Sequence, residues 1–130
     1  MRVPAHSGLY DVSVSPPVLK GTRCGSCGVS FFPPLTIGCE VCGSPDVEET
    51  DLAARGRLHS FATVHRHRGG DIEAPFTIAE IVLEDGPVIR ATMGANNGFA
   101  IGDLVEAEWA VTAVDDAGRE TVEPRFGPRQ

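Results

Sequence analysis

Apolar and polar positions alternate with a period of two through much of the second half of the chain. Between Leu104 and Ala113, the residues Val105, Ala107, Trp109 and Val111 oppose Glu106 and Glu108. That period marks a half-buried strand, because successive side chains of an extended chain point to opposite faces. Val88 to Met93 repeats it, with Ile89, Ala91 and Met93 against Val88, Arg90 and Thr92. Phe76 to Leu83 is apolar on both faces: Ala79, Ile81 and Leu83 on one, Phe76, Ile78 and Val82 on the other. Such a run predicts a strand buried on both sides. Gly56 to His65, rich in Phe, Thr and Val, and Glu120 to Phe126 bring the predicted strands to five. Asp85-Gly86-Pro87 and Asp115-Asp116-Ala117-Gly118 supply turns, and a longer link runs from Gly94 to Gly102. No stretch keeps a helical spacing.

The fold class predicted is therefore mainly β. Five strands over residues 56–130 suit a small Greek-key barrel of the oligonucleotide/oligosaccharide-binding (OB) type. Residues 48–55 read as a short acidic connection into it, and residues 18–47 as a separate small module. Residues 1–17 form a polar arm with prolines at 4, 16 and 17. Such an arm either frays or orders against a partner.

The module at 18–47 holds all four cysteines of the chain, as Cys24-Gly25-Ser26-Cys27 and Cys39-Glu40-Val41-Cys42. Each C-x-x-C turn aims two thiolates at one side of a point, and the second turn completes a tetrahedron. Closed coordination by one structural zinc is the reading this spacing favours. The same ligands hold iron in a rubredoxin-like centre, and two disulfides or a redox dithiol are further readings. Thirty residues cannot bury a self-sufficient core, so a metal must carry much of the module's folding free energy.

Charge narrows the partners. The chain has 130 residues, a net charge of −7 and a single lysine, Lys20, so a phosphate backbone is repelled and nucleic acid is not expected. Aromatic content of 6% is thin for a single-strand binder, which needs stacking platforms in a basic groove. Neither a basic-then-apolar leader nor an apolar run of about 18 residues is visible, so the expected location is cytoplasmic, with reduced thiols and no membrane contact. No G-x-S-x-G elbow and no phosphate loop is present, and Gly69-Gly70 reads as a turn pair. Trp109, the only tryptophan, reads as core by its strand position.

Two features together resemble the DUF35 family. A rubredoxin-like ribbon with Phe31-Phe32-Pro33-Pro34 between its cysteine turns runs directly into an OB-type strand set. In the ribbon the resemblance lies on the four cysteines with Gly28, Pro33, Pro34, Gly43 and Ser44. In the barrel it lies on Gly56, Phe61, Thr63, Val64, His65, Ala74, Pro75, Gly86, Ile101-Gly102-Asp103, Val105 and Phe126. The segment before Cys24 is shorter and more proline-rich than the helical arm many members carry. The resemblance implies zinc, a thiolase-like partner in a hetero-oligomer, and acyl-CoA at or near their interface. It further implies a non-catalytic accessory subunit of a thiolase or retro-aldolase, with no catalytic residue on this chain. A rubredoxin-like electron carrier is the alternative.

With that implication, two further groups of residues become site candidates. His65-Arg66-His67-Arg68 is the most basic run, beside the loop that leads to Pro75. Arginine forks suit the phosphates of coenzyme A, and Arg55 and Arg57 are expected nearby. The plain alternative is a solvated strand end. Phe31 and Phe32 have little ribbon interior to hide in, which makes them candidate partner or interdomain contacts.

Overall fold

The computed structural model describes residues 2–65, 75–94 and 98–129. Among these residues there is no helix, so none is long and apolar enough to cross a membrane. The smaller sheet has β2 (Val18–Cys24) at its centre, flanked by β3 (Ser30–Phe31) and β4 (Val47–Ala53), all antiparallel. The larger sheet contains β5 (Arg55–Val64), β6 (Phe76–Leu83), β7 (Val88–Thr92), β8 (Leu104–Val114) and β9 (Glu120–Pro128). A short β1 (Arg2–Pro4) joins it, giving the order β1-β9-β8-β5-β6-β7. The five expected barrel strands are thus present, and the arm adds a sixth to their sheet.

The sheet curls towards closure. Strands β7 and β9 meet at one parallel bridge, Met93 to Phe126, with the Gly94 N–H donating to the Phe126 C=O at 2.7 Å. Parallel contact between the third and fifth barrel strands closes the Greek key of a partly open OB barrel. A bulge in β5 between Leu58 and Ser60 bends that strand. Gly56 sits where β5 is sandwiched by β6 and β8, and a Cβ there would lie 2.1 Å from the Val82 carbonyl oxygen. Only glycine fits so close a backbone approach.

Burial follows the alternation. Ile89 and Met93 of the β7 segment and Val105 and Ala107 of β8 are inside. Two expectations change. β6 buries one face only: Thr77, Ala79, Ile81 and Leu83 point inward, while Ile78 is 37% exposed. A curled antiparallel sheet has one inner face, so the other half of an apolar strand must look outward. β8 runs past the core, leaving Val111 exposed and Trp109 half-buried.

The acidic stretch after the second cysteine pair is the strand β4, whose Leu52 is 1% exposed. Leu52 and Leu19 of the ribbon sheet share one apolar cluster with Leu58, Ile81, Val105 and Phe126 of the barrel, and Phe32 packs against it. Ribbon and barrel therefore stabilise each other through a common core.

The arm is ordered along the barrel. β1 pairs in parallel with the first half of β9, and the Ala5 N–H donates to the Val122 C=O at 2.9 Å. Tyr10 is buried, donates its hydroxyl to the same carbonyl at 3.3 Å, and meets Trp109 edge-to-face at 5.6 Å. The Trp109 indole N–H donates to the Val14 C=O at 2.8 Å. Trp109 is thus a cover between arm and barrel rather than a core residue.

Candidate metal centre

Each cysteine pair folds as a tight knuckle for local reasons. The Gly28 N–H donates to the Cys24 C=O at 3.0 Å, and the Gly43 N–H to the Cys39 C=O at 3.0 Å. Gly28 and Gly43 stand at φ of 81° and 77°, a region side chains rarely adopt, so the glycine after each pair is a backbone requirement. The turns aim backbone N–H groups at sulfur. Ser26 and Cys27 donate to the Cys24 Sγ at 3.3 and 3.4 Å. Val41 and Cys42 donate to the Cys39 Sγ at 3.4 Å each. The knuckles are tied together by Gly25 N–H to Asp46 C=O at 2.8 Å and by Ser26 Oγ to Ser44 Oγ at 2.9 Å. Buried Thr22 braces the intervening loop, accepting from the Leu35 N–H at 2.9 Å.

The four sulfurs converge, all within 4.8 Å of one another. Cys24 and Cys42 are 3.6 Å apart, as are Cys27 and Cys39. A tetrahedral ion with metal–sulfur bonds of about 2.3 Å holds its sulfurs roughly 3.8 Å apart, so the two 3.6 Å separations match such an ion and the donor set as a whole fits it. Cys24 and Cys39 are buried, while Cys27 and Cys42 face outward. As free thiols they divide the charge unequally. The Cys24 thiol is drawn down to about 6, first by the Cys27 backbone N–H and then by that of Ser26 against the cost of burial. Cys42 is pushed up to about 12: the Ser44 backbone N–H lowers it, but its bond to the Cys24 sulfur and burial outweigh that. Crowded thiols resist full ionisation, and a cation replacing their protons removes that conflict.

The other predicted residues are scattered. Phe32 packs on the shared core and Phe31 lies half-buried in β3. The Arg55 Nε pairs with Glu84 at 2.8 Å, a carboxylate that Arg129 also contacts at 2.9 Å. Those contacts, that of Arg55 first, hold the Glu84 carboxyl below its usual range. The Arg57 Nη1 donates to the Gly102 C=O at 2.9 Å. His65 is exposed just past the other end of β5. At about 3.3 Å of rise per residue, the strand separates Arg55 and Arg57 from His65 by most of its length. Arg66 and Arg68 lie outside the described residues. Sequence reasoning missed Tyr10, Leu52 and Trp109 as the residues that join arm, ribbon and barrel.

A four-thiol ribbon fused through a shared core to an OB barrel defines a two-module, metal-stabilised class of protein. Sequence families described as "ChsH2, rubredoxin-like zinc ribbon domain" and "ChsH2, C-terminal OB-fold domain" match residues 15–48 and 49–110. The chain belongs to the DUF35 family. It is 35% identical over 91 residues to the benzoylsuccinyl-CoA thiolase subunit BbsA of Thauera aromatica, covering 69% of this chain and 62% of that one. It is 32% identical over 92 residues to a DUF35 domain-containing scaffold protein of Methanothermobacter thermautotrophicus, covering 68% of each. A solved structure titled "Ltp2-ChsH2(DUF35) aldolase" superposes with a TM-score of 0.68 at 25% identity, over 85% of this chain and 84% of that one. Against a second such scaffold protein, from Methanocaldococcus jannaschii, the chain spans 49% of the relative's length. The chain therefore spans between about half and two thirds of the relatives it matches.

Proposed function

We propose that this chain is a non-catalytic accessory subunit of a thiolase-like or aldolase-like acyl-CoA enzyme. The observation that carries the reading is the ribbon-then-barrel order in a family whose relatives include a thiolase subunit and a component of a solved aldolase. The sulfur centre supports the same reading. Its four soft donors suit one zinc held structurally, by Cys24, Cys27, Cys39 and Cys42. Four thiolates leave no open coordination position, so such an ion supplies folding energy rather than a Lewis-acid site. The division into an arm at 1–17, a ribbon from 18 that takes in β4, and an OB domain that starts with β5 belongs to this reading, with the expected connection at 48–55 absorbed by those two strands. So does a cytoplasmic location, where the thiols stay reduced.

In this role the chain stabilises a thiolase-like protein and completes the entrance through which acyl-CoA reaches that partner's nucleophile and base. Phe31, half-buried in the edge strand β3, belongs to the surface offered to the partner, while Phe32 packs on the shared core and fixes the ribbon's angle on the barrel. Co-expression with a thiolase-like protein from the same genome will give a complex that survives gel filtration. Two separate peaks at micromolar concentration will contradict the reading.

CoA phosphate recognition is assigned to His65, Arg66 and Arg68, with Arg55 and Arg57 at the far end of the same strand outside that contact. Hydrogen bonds to a charged phosphate contribute about 1.5–3 kcal/mol each when desolvated, and much less at an open rim. The double change Arg66→Ala with Arg68→Ala will raise the assembled enzyme's KM for acyl-CoA on the order of tenfold while assembly stays intact, and more so at low salt. An equal loss with an analogue lacking the 3′-phosphate will rule out a contact to that group.

A further inference from the structure

Where the barrel seam opens, a groove of about 360 Å³ lies between β7, β9, the arm and the ribbon. Leu9, Tyr10, Leu19, Phe32, Ile89 and Phe126 line it, so its walls come from every part of the fold. One rim is a strand edge. The Leu83 N–H donates to the Pro87 C=O and the Met93 N–H to the Thr77 C=O, both at 2.9 Å. Bonded pairs alternate along an antiparallel ladder, so with this register Ile89, Ala91 and Met93 turn their backbone groups to β6. Val88, Arg90 and Thr92 turn theirs outward.

Among the described residues, the outer edge of β7 meets another strand only at the Met93 to Phe126 bridge. Across the gap, the Val122 and Phe126 carbonyls are taken by Ala5 and Gly94, and Pro124 between them has no N–H to leave open. The β9 side therefore keeps only the Pro124 carbonyl to offer between two bonded ones, whereas Val88 and Arg90 on the β7 side turn both N–H and C=O outward. An open edge with apolar walls beneath it is a template for an added strand. Charge also points to an incoming chain. The Arg90 side chain is 81% exposed, and its ion pair with Glu80, at 3.8 Å, is the longest among the described residues. That leaves a guanidinium open to a second carboxylate.

We propose that the β7 edge and this groove take an extended segment of the thiolase-like partner as an added strand. Its apolar side chains enter the groove and an acidic residue meets Arg90. The inference rests on the accessory-subunit reading, and the test separates the two. Amide exchange is measured on the full chain, alone and in the complex with the co-expressed thiolase-like protein. The Val88 and Arg90 amides will exchange fast in the free chain and slow at least tenfold in the complex. The variant Arg90→Pro removes an outward N–H that β6 does not use, and edge strands tolerate proline at such positions. It will lower the yield of complex at least tenfold while the free chain keeps its melting temperature within a few degrees. Arg90→Glu, which keeps the backbone, will weaken the complex severalfold. A wild-type complex in which both amides stay fast, or which Arg90→Pro leaves intact, overturns the edge proposal and spares the subunit reading. Protection that rises with the concentration of the chain alone makes a second copy the occupant and overturns it too. No complex with wild-type protein removes both readings.

Discussion

Cys39→Ser will release the metal and unfold the ribbon. Cys39 is 5% exposed, and its sulfur accepts the two backbone N–H bonds that shape the second knuckle. A serine oxygen is a hard, poorly ionised donor where a soft thiolate is needed. Structural zinc in small modules contributes about 10–16 kcal/mol at neutral pH, comparable with the whole stability of an ordinary domain at about 5–15 kcal/mol. The effect will not stop at the ribbon. Leu19 and Leu52 hang from β2 and β4 yet sit in the barrel's own cluster. A barrel with a separate core would keep its melting temperature when the ribbon unfolds, whereas this one will lose on the order of 10 °C or more. Elemental analysis will fall from about one zinc per chain towards none. Retention of stoichiometric zinc with unchanged melting contradicts the account, and stoichiometric iron in the parent protein favours the electron carrier.

Phe126→Ala will cost about 3–5 kcal/mol, the range for a large aromatic removed from a packed core. The side chain is 1% exposed and belongs to the cluster that ribbon and barrel share. Its own carbonyl holds Gly94 at the closing bridge, so the truncation empties the core at the seam where the sheet is least paired. The midpoint of urea unfolding will drop accordingly, with a small change in slope. Val88→Ala, at a position 54% exposed on the adjacent strand, will stay within about 0.5 kcal/mol. A loss below about 1.5 kcal/mol at Phe126 would mean that the seam repacks and the shared core is not continuous.

The barrel and the metal centre were legible because each is written in local spacing. Ile89, Ala91 and Met93, like Val105 and Ala107, recur at every second residue, and C-x-x-C with a following glycine is a complete backbone instruction. What was not legible depends on distant partners. Tyr10 sits in a proline-rich polar stretch without a period, and its burial is decided by a carbonyl 112 residues away. Leu52 stands among Glu48, Glu49 and Asp51, so composition reads a solvated connection. Pairing with β2 turns it into a strand with one inward side chain. Ile78 looks buried by type, but only the curl of the sheet says which face of β6 is inside. The basic candidates read as neighbours because they are close in sequence, although the predicted strand from Gly56 to His65 already lay between them. The extended β5 (Arg55–Val64) keeps Arg57 near its start, whereas His65 follows its last residue.

The central claim is that chemistry belongs to the partner and assembly to this chain. The direct measurement is acyl-CoA thiolysis or retro-aldol cleavage by three preparations: this chain alone, the thiolase-like protein alone, and the two together. The account predicts no turnover from the isolated chain, weak or unstable turnover from the partner, and sustained turnover from the pair at equal molar ratio. Robust turnover by the isolated chain, or a partner whose rate and lifetime are the same with and without it, would contradict the account.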